Sequence, residues 1–242
     1  MSYIDGFVIA VADVKRDAFI AHATTIDPLF LELGATRVVE CWEDQIANGK
    51  RTDFRRAVAA EAGEKIAFSW VEWPDKPARD SGMARLSELM ETGADPRMDP
   101  ARNPAPFDGA RMIFGGFAPL LNRGSGGGNY VDGFVAPIAA DGRDAYRTYA
   151  EQAAGLFESY GALRVVESFS DDVPDGKRTD FRRAVAAEAS EHLAFSWIEW
   201  PDKATRNAGW GKMMADDPLK GTPMPFDGAR MIHGGFTPVV SI

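Results

Sequence analysis

The sequence predicts an α+β fold built from two ferredoxin-like modules of order βαββαβ, packed sheet to sheet within one chain. Three observations lead there. The fourteen residues from Gly49 to Ala62, GKRTDFRRAVAAEA, recur unchanged from Gly176 to Ala189. At the same offset Tyr3-Ile4-Asp5-Gly6-Phe7 returns as Tyr130-Val131-Asp132-Gly133-Phe134, and Phe68-Ser69-Trp70 returns as Phe195-Ser196-Trp197. Within each copy, runs of β-branched and aromatic residues alternate with segments of helical spacing. The division is residues 1–121 for the first repeat, 122–129 for a Gly-rich linker and 130–242 for the second repeat.

Tyr3 to Val11 reads as a strand, and Asp13 reads as the N-cap of a helix from Lys15 to Leu33. Its apolar positions Ala18, Phe19, Ile26, Leu29, Phe30 and Leu33 fall mostly at helical spacing, with Gly34 as the left-handed stop. Pro28 is expected to kink or interrupt it. Arg37 to Trp42 is a second strand. Thr52 to Ala60 and Ile66 to Trp73 are expected to pair as a hairpin around Ala62 and Gly63. Trp73-Pro74-Asp75 ends that hairpin, and Asp75 caps a second helix through Met90. Pro96 to Pro106 is loop, Phe107-Asp108-Gly109-Ala110 is a tight turn, and Ala110 to Leu120 is the last strand. Gly115-Gly116 and Gly234-Gly235 inside strand patterns mark bulges or close backbone approach.

Both helices of such a module cover one face of its sheet, so the other face needs a partner. Ile4, Gly6, Val8 and Ala10 are expected to face the helices, and Tyr3, Asp5, Phe7 and Ile9 the other copy. The linker, NRGSGGGN, spans roughly 16 Å by Gly-rich chain statistics, which keeps the halves at about millimolar effective concentration or higher. Each half is expected to complete the other, as an intramolecular pseudo-dimer. The copies differ between Met83 and Phe107, where the first is eight residues longer than the second between Trp210 and Phe226.

The chain has 242 residues, a formal net charge of -9 and one cysteine, Cys41, whose counterpart is Ser168. Acidity opposes nucleic-acid binding, which needs clustered Lys and Arg, although sheet aromatics of ferredoxin-like folds can stack bases. A lone thiol excludes an internal disulfide framework. No stretch has the length and apolarity of a membrane span or a leader peptide, so a cytoplasmic protein with no membrane partner is expected. No GxxxxGK[ST], HExxH or paired CxxC is present, so no cofactor and no metal site is expected.

The openings of YVDGF type, RVVE, TDFRRAV, FSW followed by EWP, and FDGARMI followed by GGF occur in this order in both copies. In these motifs the chain resembles the domain of unknown function 1428 family of small bacterial proteins, over nearly all of both repeats. The resemblance implies a dimeric α/β barrel of ferredoxin-like subunits, here fused in tandem. It brings no established activity and no catalytic residue.

The candidate residues come from the repeated acids, arginines and aromatics. Asp5 and Asp132, Glu40 and Glu167, and Glu72 and Glu199 lie among apolar neighbours, where a carboxylate must pair or titrate abnormally. Arg55 and Arg182, each beside a second arginine, are the expected partners, since a guanidinium holds a carboxylate through two hydrogen bonds. Phe7, Trp42, Phe68 and Trp70, with Phe134, Phe195 and Trp197, are either cavity wall or plain core. The three histidines do not recur: His22 aligns with Tyr149, His192 with Lys65 and His233 with Phe114. His233, just before Gly234, is retained as a one-sided candidate.

Two functional readings stand on this set. One is a polar and aromatic cavity between the sheets that binds an anionic or carbonyl-bearing small molecule, or acts as a cofactor-independent enzyme. The other is a non-enzymatic association or regulatory module whose buried charges set how the sheets meet.

Overall fold

The computed structural model of the protein describes residues 2–242. The first repeat supplies β1 (Tyr3–Ala12), α1 (Arg16–Glu32), β2 (Arg37–Ile46), α2 (Phe54–Ala57), β3 (Glu64–Trp73), α3 (Lys76–Thr92) and β4 (Ile113–Gly124). The second supplies β5 (Tyr130–Ile138), α4 (Arg143–Ser159), β6 (Arg164–Asp172), α5 (Phe181–Ala184), β7 (His192–Trp200), α6 (Lys203–Asp216) and β8 (Ile232–Ser241). Each repeat is a ferredoxin-like module, and the strands close into one antiparallel barrel of order β1-β3-β2-β8-β5-β7-β6-β4.

Closure follows from the edges. Each four-stranded sheet would end in two unpaired strands, which are sites for unwanted pairing. Here β2 pairs with β8 and β4 with β6, so the backbone donors and acceptors of all four edges are used across the repeat boundary. Bulges interrupt these seams at Glu43/Gln45 and at Gly116/Phe117, beside the paired glycines. β4 also takes in residues 122–124, so the linker is shorter than the sequence suggests.

Several local expectations change. Residues 52–60 are not a strand: Asp53, extended at φ -156°, accepts from the Arg56 amide and starts the one-turn helix α2. The repeated block therefore forms a helical plug, and β3 pairs directly with β2. Asp13 begins a short 3₁₀ turn and makes no side-chain cap. α1 runs unbroken through Pro28. Asp75 does cap α3, accepting from the Ala78 amide at 2.8 Å. Gly34 ends α1 at φ +107°, as a left-handed stop requires.

The strand faces are the reverse of the sequence expectation. Ile4, Val8 and Ala10 turn into the barrel, whereas Tyr3, Phe7 and Ile9 pack with the helix-side clusters. The reason is the size of the rings on the neighbouring strands. A Cβ on Gly6 would lie 2.7 Å from the Phe195 ring, and one on Gly133 would lie 2.9 Å from Phe68. Those two phenylalanines stack 4.8 Å apart at 8°, and Trp70 stacks on Trp197 at 4.4 Å. Small residues on β1 and β5 thus make room for aromatics from β3 and β7, each pair contributing about 0.5–1.5 kcal/mol beyond area burial.

Both barrel ends are shut. At one, Phe54 and Phe181 from α2 and α5 meet the interior rings edge-on, Phe54 at 5.5 Å from Phe236 and Phe181 at 5.7 Å from Phe195. At the other, four charged side chains close the mouth beneath the linker. On the outside, α1 and α3 cover one half of the wall and α4 and α6 the other. Trp73 and Trp200, both fully buried, anchor the helix-side cores as expected from their strand-end positions. No helix among the described residues is long and apolar enough to cross a membrane.

Candidate functional site

The sixteen candidate residues do not share one cavity; the barrel wall separates them. Phe68, Trp70, Phe195 and Trp197 are inside, all fully buried in a single ring stack. Glu72 and Glu199 are inside as well, at the mouth. Asp5, Phe7, Glu40, Trp42 and their counterparts Asp132, Phe134 and Glu167 are on the helix side. The space between the sheets, expected to hold a ligand, is therefore filled by aromatic core, because the residues facing it interdigitate around the pseudo-twofold axis.

The charges at the mouth are fully matched. Arg37 donates to both oxygens of Glu199 at 2.8 and 2.9 Å, and Arg164 donates to both oxygens of Glu72 at 2.7 and 2.8 Å. Trp70 Nε1 and Trp197 Nε1 add bonds of 3.0 and 3.1 Å to Glu72 and Glu199. The linker amide of Gly127 also donates to Glu199, at 2.9 Å. Burial would raise Glu199, but the hydrogen bonds and charge of Arg37 outweigh it and hold the carboxyl at about 2. Both bidentate ion pairs join the two repeats, and the Gly127 contact adds the linker.

Asp5 and Asp132 are similarly committed, but not to Arg55 or Arg182. Asp5 accepts from Trp73 Nε1 and Arg79 Nε, both at 2.9 Å. Asp132 accepts from Trp200 Nε1 at 2.9 Å, Trp210 Nε1 at 2.8 Å and Arg206 Nε at 2.9 Å. Burial, partly countered by Arg79, raises the Asp5 carboxyl. Arg55 instead pairs with Glu43 and donates to the Glu64 carbonyl, and Arg182 donates to the carbonyls of Glu188 and Ala189. Both sit on the plug helices α2 and α5.

What remains is a pocket of about 240 Å³ in the second repeat, between the outer sheet face and helices α4 and α6. Its floor is Phe134, Ala136, Ala194 and Ile198, and its helix wall is Ala150, Ala153, Phe157 and Trp210. α4 leaves the space because small residues occupy the turns between Tyr146 and Phe157. In the first repeat Ile26 stands where the second has Ala153.

One carboxylate enters this apolar space. Glu167 lies directly opposite Ser196 in the β6–β7 ladder, and the Ser196 and Tyr146 hydroxyls both donate to its Oε2. Oε1 has no protein donor and is open to the pocket. Burial raises the Glu167 carboxyl, partly offset by the two hydroxyls. Burial, then the neighbouring Glu167, also pushes the Tyr146 hydroxyl well above its usual value.

The first repeat builds the corresponding place differently. Glu40 accepts from Ser69, its ladder partner, but Phe19 replaces Tyr146 and Asp27 replaces Ala154. Asp27 is buried on α1, and its Oδ2 has no partner. Burial, then the charge of Glu40, raises Asp27 to about 9, while burial raises Glu40 to about 7. The longer loop packs on the same helix: Asn103 meets His22 at 3.0 Å and Arg97 pairs with Glu32 at 2.8 Å. Trp42 packs on Phe19 with centroids 5.7 Å apart.

A family model described as a protein of unknown function, DUF1428, matches residues 2–109 and 129–228. The chain belongs to the DUF1428 family. The uncharacterised protein YbaA of Escherichia coli K-12 is 57% identical over 113 residues, covering 46% of this chain and 97% of YbaA. YbaA thus has the length of one DUF1428 repeat. Among solved structures, a provisionally assigned monooxygenase from Fusobacterium nucleatum matches with a TM-score of 0.58 at 10% identity, covering 99% of this chain and 93% of that one. One from Lactobacillus acidophilus matches with a TM-score of 0.58 at 9% identity, covering 99% and 95%. At such identity these likenesses show the fold alone, a dimeric α/β barrel formed here within one DUF1428 chain.

A second cavity, of about 310 Å³, lies between residues 47–53 and 228–233 of the DUF1428 barrel. Its Asp53 carboxylate is already committed to the backbone amides of Gly49 and Arg56. His233 lines it, exposed and stacked on Phe134 at 6.4 Å, with burial lowering its imidazole. Of the sixteen candidates only Phe134 and Glu167 line the apolar pocket, and no arginine does, so an anionic ligand has no partner there. Tyr146, Ser196 and Trp210 were missed. The signal available for Ser196 was its place inside the repeated Phe-Ser-Trp triplet opposite Glu167.

Proposed function

We propose that the chain binds a small organic molecule in the second-repeat pocket, with Glu167 as its polar handle. The observation that carries this reading is the free Oε1 of a half-buried carboxylate facing an otherwise apolar space, whose other oxygen is fixed by two hydroxyls. Ligand sites are mostly apolar with a few directed polar groups, and this pocket has that composition at a size suited to a small ligand. Glu167, raised by burial, is also the pocket's candidate for accepting or returning a proton, which is what a cofactor-independent enzyme of this kind would use. The expected setting is cytoplasmic.

Ala153→Ile copies the first repeat and fills the pocket without a new residue type for the fold. A thermal-shift screen of small ring compounds should give stabilising ligands for the natural chain, and this variant should abolish the shifts while keeping its own cooperative unfolding. Ligands whose shifts survive Ala153→Ile would overturn the assignment.

The alternative, an association module whose charges set sheet register, has a specific observation in its favour at the mouth. Arg37, Glu72, Arg164 and Glu199 are mutually paired, and the two shortest pairs cross between the repeats. For those four residues register is the supported role; Glu167 has no cation to pair with and falls outside it.

A further inference from the structure

We infer that the pocket's ligand is an organic cation, a primary or secondary amine on a small apolar ring-bearing body, with its ammonium at Glu167 Oε1. This rests on the pocket reading above and adds the chemical class.

The argument is one of charge balance. No Lys or Arg lines the pocket, so an ionised Glu167 has no counter-ion within it. The nearby cationic groups are accounted for: Arg206, 5.9 Å over the Trp210 ring, pairs with Asp132, and His233 is held toward its neutral form by burial. The two hydroxyls on Oε2 solvate the carboxylate without neutralising it. An anionic ligand would meet a like charge, and a neutral alcohol would satisfy Oε1 but leave the charge uncompensated in an apolar enclosure. An ammonium supplies both the donor and the charge, and the rings of Tyr149, Phe157, Trp210 and Phe226 add favourable quadrupole contacts for a cation. By the same balance, the bound amine should bring the Glu167 carboxyl back down toward its ordinary range.

The test is a head-group series on one body, measured by calorimetric titration of the full chain at pH 7: 2-phenylethylamine, 2-phenylethanol and 3-phenylpropionate. The amine is expected to bind about tenfold or more tighter than the alcohol, and the acid not at all. Glu167→Gln should bring the amine within about threefold of the alcohol measured on the same variant. Alcohol and amine binding equally, both lost in Ala153→Ile, would overturn the cation assignment and leave the pocket standing. If none of the three binds, the pocket falls as a ligand site and the assignment with it. The wild-type series stands even if Glu167→Gln fails to fold.

Discussion

Arg37 of the first repeat grips Glu199 of the second through two hydrogen bonds of 2.8 and 2.9 Å, at a barrel mouth where Glu199 is almost wholly shielded from water. The matched pair Arg164 and Glu72 faces it, so the four groups form one network. Removing one partner of a buried pair leaves an uncompensated charge, which costs about 3–5 kcal/mol. Arg37→Ala should therefore lower unfolding stability by that order in urea titration. Replacing Arg37 and Glu199 together by Met and Leu should recover most of it. A single variant as stable as the natural chain would remove the network from the account of how the repeats dock.

The pH dependence of that network has a definite sign. Glu199 lies below its ordinary value in the folded chain, at about 2, so its contribution is present above the unfolded value and is lost as pH falls through the folded one. The natural chain should lose stability progressively below about pH 4.5, and Glu199→Gln should flatten that limb of the curve. An unchanged acid limb in the variant would show that other carboxylates set it.

Asp27 works in the opposite direction. Its folded value is raised to about 9 from 3.8, so the stability it allows is fully present at low pH and is lost as pH rises between those values. Asp27→Asn keeps the shape and removes the titration. It should stabilise the chain at pH 8 by on the order of 1–3 kcal/mol, the cost of an unsatisfied buried group, and by clearly less at pH 4. Equal changes at the two pH values in chemical denaturation would contradict the raised Asp27 carboxyl.

Cutting the chain at Gly126 tests the closure of the barrel. Each half would expose two edge strands and the inner face that carries either Phe68 and Trp70 or Phe195 and Trp197. The halves should co-purify as a complex or form dimers of their own, seen by light scattering. Two stable, separate monomers would contradict the barrel as the folding unit.

The ferredoxin-like plan and its duplication were legible because they depend on features a sequence displays directly: repeat register, helical spacing around Phe19 and Leu29, and the Asp75 cap. The inner and outer faces were not. Alternation along β1 separates Ile4 from Asp5, but which set points inward depends on Phe195 arriving from the other repeat to fill the space above Gly6, and that is a tertiary event. The same limit applied to the acids. Glu40, Glu72 and Asp5 look alike in sequence, yet ladder pairing gave Glu40 a serine, barrel closure gave Glu72 an arginine from the far repeat, and Asp5 took Arg79 from a helix. α2 was misread as strand because residues 54–60 are apolar enough for either; the Asp53 cap decided the matter. Glu167 was singled out in the sequence but its surroundings were not legible there, since Tyr146 reaches it only through the packing of α4.

A barrel closed by two separate copies of a one-repeat chain must carry every substitution on both sides of its axis. In this chain the copies are joined through the residues beneath which Gly127 meets Glu199, and that tether breaks the obligation. Ala154 could stay small while its twin became Asp27, and Tyr146 could keep a hydroxyl that Phe19 does not have. The fusion thus frees one flank to specialise while the other holds the shape.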